Sequence, residues 1–116
     1  MSQLALLVDD VVVQLFALDK AKVTIGRSSL CDIHIDDISV STNHAVILVA
    51  PSELLDGYYD IFVEDLQSRN GTLVNDQSIH RCRLKPGDVI TIGFNKFKLL
   101  DDHAVGREST VLMVMD

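Results

Sequence analysis

Residues 87–100 read Gly87-Asp88-Val89-Ile90-Thr91-Ile92-Gly93-Phe94-Asn95-Lys96-Phe97-Lys98-Leu99-Leu100. A Gly-Asp turn precedes a short run rich in β-branched residues, Asn95 interrupts, and Lys96-Phe97-Lys98-Leu99 then alternates charged with apolar side chains. A period of two sends successive side chains to opposite faces of an extended strand, one face solvated and the other buried. Asp60-Ile61-Phe62-Val63-Glu64 carries the same kind of pattern. Working outward, the sequence predicts strands at 4–8, 11–18, 23–26, 33–35, 44–49, 59–65, 72–74, 89–92 and 97–100, with a further run at 110–115. Between them Asp9-Asp10, Asp56-Gly57, Asn75-Asp76 and Lys85-Pro86-Gly87-Asp88 supply residues that tolerate positive φ or preset a turn. Helical periodicity never persists beyond about two turns. Many short strands without crossover helices make an all-β sandwich or barrel the expected fold.

The 116 residues suit one domain, since halving the chain would leave two marginal cores. Apolar residues form 47% and charged residues 23% of the chain, so it carries enough hydrophobic material to fold unaided. No apolar run nears the roughly 20 residues that span a bilayer, and residues 1–7 lack the basic segment of a signal peptide. The expectation is a soluble cytoplasmic protein with no membrane partner. Cys31 and Cys82 are too few for a disulfide framework and read as free structural thiols. With ten basic against seventeen acidic residues the net charge is −7, which repels polyanions and gives no basic stripe for nucleic acid.

Three polar stretches break the alternation, at 26–32, 38–43 and 67–71, and read as loops. Loops held on a rigid sandwich are where binding residues gather. They contain Gly26-Arg27-Ser28, Ser41-Thr42-Asn43-His44 and Ser68-Arg69-Asn70-Gly71-Thr72, the last followed by Asn75. No cofactor is implied. A glycine-rich phosphate cradle leading into a helix is missing, and Cys31-Asp32-Ile33-His34 has the look of half a zinc site with no second pair to complete it, so no metal is expected.

Taken with Asp32-Ile33-His34-Ile35, Asp65-Leu66 and residues 87–93, these blocks resemble the forkhead-associated (FHA) domain over about residues 4–101 in both order and spacing. The resemblance implies a twisted antiparallel β-sandwich of about eleven strands, occupying residues 1–102. Its loops at one end would bind a phosphothreonine peptide without chemical turnover, making the protein a signalling adaptor and not an enzyme. Arg27 is the expected phosphate anchor, because a guanidinium presents paired donors to the acceptor oxygens of a doubly charged group. Ser41 is expected to donate its hydroxyl to phosphate, and Asn70 to pair with the peptide backbone as donor and acceptor together. Arg69 either reaches the ligand or projects into water. Asn70 also reads as a left-handed turn residue before Gly71. His44 is expected to hold the serine-bearing loop, with Gly26, Gly71, Thr72 and Asn75 as further support of the binding loops. A nucleophilic Ser41–His44 pair would need an orienting acid as well.

At Thr42 many members of the family carry a basic residue, so one cation is lost from the phosphate pocket. The partner is expected to be a phosphothreonine protein or peptide, and the alternative is a phosphate-independent interaction or oligomerisation module on the same fold. Past Asp102 the resemblance ends. The tail, 103–116, closes on the apolar run Val111-Leu112-Met113-Val114-Met115, which is expected to add an edge strand to its own sheet or to a neighbour's, the latter giving self-association.

Overall fold

The computed structural model describes residues 2–101. Eleven strands and no helix occur among them: β1 (Ser2–Val8), β2 (Val11–Ala17), β3 (Lys22–Gly26), β4 (Ile33–His34), β5 (Ala45–Pro51), β6 (Tyr59–Asp65), β7 (Thr72–Val74), β8 (Gln77–Ile79), β9 (Arg81–Leu84), β10 (Val89–Ile92) and β11 (Asn95–Asp101). They form two sheets, one ordered β2-β1-β11-β10-β7-β8 and the other β4-β3-β5-β6-β9. Every pairing is antiparallel except the two-residue contact of β3 with β4, where Ile25 lies beside Ile33 in parallel. The alternation seen in the sequence translates directly into burial. Ile90 and Ile92 of β10, and Phe97 and Leu99 of β11, point inward, as do Ile61 and Val63 from the facing sheet. Their core neighbours include Leu4, Val23, Ile25, Ile33, Val40 and Ile47. Phe16 packs on Phe97 with ring centroids 6.2 Å apart, inside the favourable range for tilted aromatic pairs.

Two strands had no counterpart in the periodicity, β8 and β9. Both sit at sheet edges; Arg81-Cys82-Arg83-Leu84 alternates charged with apolar residues as 96–99 does, but over four residues that the sequence reading passed over. Its conformation is fixed by pairing with β6, Cys82 opposite Val63 and Leu84 opposite Ile61. The run at 110–115 and the tail to which it belongs lie outside the described residues.

Turn chemistry follows the expected residues at Asp9, Asp10, Gly57, Asn75, Asp76 and Gly87, all of positive φ. In the β10–β11 connection the left-handed residue is Gly93 (φ 61°), whereas Asn95 begins the next strand. A Cβ on Gly93 would come within 2.2 Å of Ser39 Oγ, so this turn packs directly on the β4–β5 loop. The Asn95 side chain strengthens that contact by donating to Asp37 Oδ2 at 3.3 Å.

Candidate functional site

The connections β3–β4, β4–β5 and β6–β7 converge at one end of the sandwich, joined by main-chain and side-chain hydrogen bonds. The Arg27 and Ser28 amides donate to the carbonyls of Ser41 (2.9 Å) and Thr42 (3.1 Å), laying the first loop against the second. Gly26 makes this approach feasible. A Cβ there would stand 2.2 Å from the Thr42 carbonyl oxygen and 3.0 Å from Cys31 Sγ, a backbone collision that no rotamer relieves. The Asp32 carboxylate closes the same loop from beneath by accepting from the Thr24 amide (2.9 Å) and hydroxyl (3.1 Å) and from Lys20. The Lys20 ammonium, helped by the Thr24 amide, lowers the Asp32 pKa to about 2. The Asp32 block of the motif is therefore scaffold.

His44 is fully buried at the centre of the three loops. Its Nδ1 accepts from the Ser41 amide at 3.0 Å, which fixes the neutral ring with its proton on Nε2; that nitrogen donates to the Gly71 carbonyl at 2.8 Å. Both ring nitrogens are thus engaged with loop backbone, and neither is left to take a proton from Ser41 Oγ. The β6–β7 loop is held internally by Asp65. Its Oδ1 accepts from the hydroxyls of Ser68 (2.5 Å) and Thr72 (2.7 Å), and its Oδ2 accepts from the Ser68 amide (3.1 Å). Burial pushes the Asp65 carboxyl up, but the bonds from Ser68 and Thr72 outweigh burial and leave it below the usual carboxylate range. Ser68 Oγ in turn accepts from the Gly71 amide at 2.9 Å. Left-handed backbone occurs at Gln67 (φ 56°) and Gly71 (φ 82°); Asn70, expected to share it, does not adopt it.

Above this scaffold lies a pocket of about 270 Å³ lined by Arg27, Ile38, Ser39, Val40, Ser41, Thr42, Gln67, Arg69 and Asn70. All five residues expected to contact a ligand are on its wall: Arg27, Ser41, Thr42, Arg69 and Asn70. Ser41 Oγ accepts from the Arg69 amide at 2.9 Å, which leaves the hydroxyl proton available to an incoming acceptor. Asn70 Nδ2 donates to the Ser39 carbonyl at 2.8 Å, so the side-chain carbonyl keeps its lone pairs. Arg27 and Arg69 are exposed, and their guanidinium groups have no hydrogen-bond or ion-pair partner among the described residues. Among the described residues no carboxylate lines the pocket, so a chain of net charge −7 presents two cations there.

Asn75 lies elsewhere. It donates to Asp88 Oδ1 (3.0 Å) and accepts from the Val89 amide (2.9 Å), tying the β7–β8 turn to the start of β10 at the end of β7 away from the pocket. Its support is to the sandwich rather than to the pocket loops. The sequence reading did not single out Ile38, Ser39, Val40 or Gln67, which complete the wall; no local pattern distinguishes them from ordinary loop residues. The Asp65-x-x-Ser68 spacing, in contrast, is a recognisable side-chain-to-backbone capping signal.

A family model described as the FHA domain matches residues 23–93, a span that takes in all three pocket loops. The chain belongs to the FHA family. Among curated proteins, this FHA chain is 38% identical over 85 residues to the oxoglutarate dehydrogenase inhibitor of Corynebacterium efficiens, covering 73% of this chain and 54% of that protein. It is 36% identical over 85 residues to the glycogen accumulation regulator GarA of Mycobacterium tuberculosis, covering 73% of this chain and 47% of GarA. The chain therefore spans about half the length of the curated relatives it matches. Among solved structures, the yeast Dun1 FHA domain in complex with a doubly phosphorylated (pT) peptide derived from Rad53 SCD1 superposes with a TM-score of 0.71 at 29% identity, over 85% of this chain and 72% of that one. The FHA architecture is thus shared in strand content and two-sheet arrangement. Among the described residues no helix is long and apolar enough to cross a membrane.

Proposed function

We propose that this FHA domain binds a phosphothreonine-bearing segment of a partner protein and performs no chemistry on it. One observation carries the reading: Arg27 and Arg69, without internal partners, and the Ser41 hydroxyl, with a proton to donate, line a single pocket free of carboxylates. A phosphothreonine brings a charge of about −1.5 to −2 and three acceptor oxygens, which two guanidinium groups and a hydroxyl can satisfy together. Asn70, anchored through its amide nitrogen, offers its side-chain carbonyl to a peptide N–H, so an extended chain would lie across the loop ends with the phosphate in the pocket. Thr42 adds no charge, leaving the two arginines as the cations that meet the phosphate beside the Ser41 hydroxyl.

The relatives support this reading by what their names state: an inhibitor, a regulator, and a domain solved with a phosphorylated peptide. The function is then that of an adaptor that reads the output of a serine/threonine kinase by docking, in a cytoplasmic setting where Cys31 and Cys82 remain free thiols. The test is a fluorescence-anisotropy titration with one peptide in phosphothreonine, phosphoserine and unmodified forms. Saturable binding of the phosphothreonine form alone is expected. Equal affinity for the phosphorylated and unmodified forms would replace this reading with a phosphate-independent docking module.

A further inference from the structure

Among the described residues the two sheets have four edge strands, β2, β8, β4 and β9. An exposed edge presents unpaired N–H and C=O groups, and folded proteins protect such edges by keeping them short or charged. Strand β4 has two residues and β8 three, while β9 carries exposed Arg81 and Arg83. Strand β2 is neither short nor charged, and its one irregularity is a bulge opposite Leu6 and Leu7 that leaves Val13 without a partner on β1. It runs for seven residues, Val-Val-Val-Gln-Leu-Phe-Ala, without a charge. Val11, Val12, Val13 and Leu15 are 48–61% exposed, and Val8 just before the turn is 53% exposed. These residues do not all share one face, so β2 overhangs the core with apolar side chains on both of its sides.

The register shows at which end of the sheet the described residues stop. Asp101 lies opposite Ser2, and Gln3 lies opposite Ala17, so β11 ends at the same end of the sheet as β2. A segment returning along the free edge of β2 would therefore run antiparallel to it. Reaching that edge from β11 means crossing three strand spacings, about 14 Å. The eight residues 102–109 can span up to about 26 Å. Next comes Thr110-Val111-Leu112-Met113-Val114-Met115, apolar at five successive positions, so that both faces of such a strand would be apolar. That matches an edge exposing apolar groups on both sides.

We propose that the outer edge of β2 is a docking site for this chain's own segment 110–115, which adds as an antiparallel strand and covers Val11, Val13 and Leu15. The proposal is independent of the phosphopeptide pocket. Its test is hydrogen exchange on the full chain, wild type against the double variant Leu112→Asp/Met113→Asp, which puts one charge on each face of the docking segment. Amides of residues 11–17 are expected to exchange at least about tenfold faster in the variant, as when a local closing equilibrium is lost. Amides of β5 and β10 should keep their protection, showing that the sandwich itself is intact. Equal exchange of β2 in the two proteins overturns the proposal. So does a wild-type dimer whose β2 protection disappears on dilution to monomer, since the occupant would then belong to a second copy.

Discussion

The main-chain amide of Arg69 donates to the side-chain oxygen of Ser41 across 2.9 Å, joining the β6–β7 loop to the β4–β5 loop at the mouth of the pocket. Residues 28 positions apart in sequence thus present a guanidinium and a hydroxyl proton side by side. Replacing Ser41 with Ala removes both the acceptor for that amide and the donor to phosphate. A neutral hydrogen bond contributes about 0.5–1.5 kcal/mol and one to a charged group about 1.5–3 kcal/mol. The Ser41→Ala variant should bind phosphopeptide at least about tenfold more weakly by calorimetry; an unchanged Kd would remove Ser41 from the site.

The Arg27 guanidinium has no hydrogen-bond or ion-pair partner among the described residues, so its replacement separates binding from folding. Arg27→Ala should abolish measurable phosphopeptide binding while the urea midpoint stays within experimental error of wild type. Arg27→Lys should recover only part of the affinity, because an ammonium cannot form the planar paired contact. Full affinity in Arg27→Ala would locate the phosphate elsewhere.

Thr42 is exposed on the pocket wall, where a cation has room. Thr42→Arg is expected to strengthen phosphopeptide binding by roughly tenfold, the equivalent of about 1.4 kcal/mol from a partly screened charge-assisted bond. The gain should shrink as salt rises from 50 to 500 mM; a gain insensitive to salt would point to packing instead of charge.

Gly26→Ala forces a Cβ to within 2.2 Å of the Thr42 carbonyl oxygen. Overpacking of this kind costs about 1–3 kcal/mol, read as a lower urea midpoint at unchanged m-value. Because the displaced atom belongs to the pocket wall, phosphopeptide affinity should fall as well. Wild-type stability in Gly26→Ala would mean that the two loops can separate freely.

Two acid transitions should be resolved. The second ionisation of a phosphothreonine lies near pH 6, so affinity is expected to fall several-fold between pH 7 and pH 5 while the fold persists. The Asp32 and Asp65 carboxyls titrate below their ordinary range in the folded protein. Their stabilising contribution is therefore complete above the unfolded value of about 3.9 and is lost only as pH falls through the folded values, about 2 for Asp32. Circular dichroism should show the sandwich intact at pH 5; unfolding that coincides with the loss of binding would contradict this separation.

Composition and periodicity determined the all-β class, because strand alternation is a local property: Ile90, Ile92, Phe97 and Leu99 alternate with their polar neighbours wherever their strand is placed. Turn residues such as Asp9, Asn75 and Gly87 were legible for the same reason, since positive φ is a matter of local sterics. The pocket residues Arg27, Ser41, Thr42, Arg69 and Asn70 were legible as motif blocks, but not as neighbours of one another.

Tertiary structure alone decided the rest. It made strands of the short edges β8 and β9, which are placed by pairing with β7 and β6 and by the packing of Ile79, Cys82 and Leu84 on the core. It set both nitrogens of His44 on loop backbone, moved Asn75 to the far end of β7, and brought Ile38, Ser39 and Gln67 into the pocket wall. It also left β2, apolar at every position but Gln14, at an edge of the sheet among the described residues. A run of valines records how readily a segment extends and how much it gains from burial; which surface covers it depends on the order of strands in the sheet, a long-range property that no local pattern encodes.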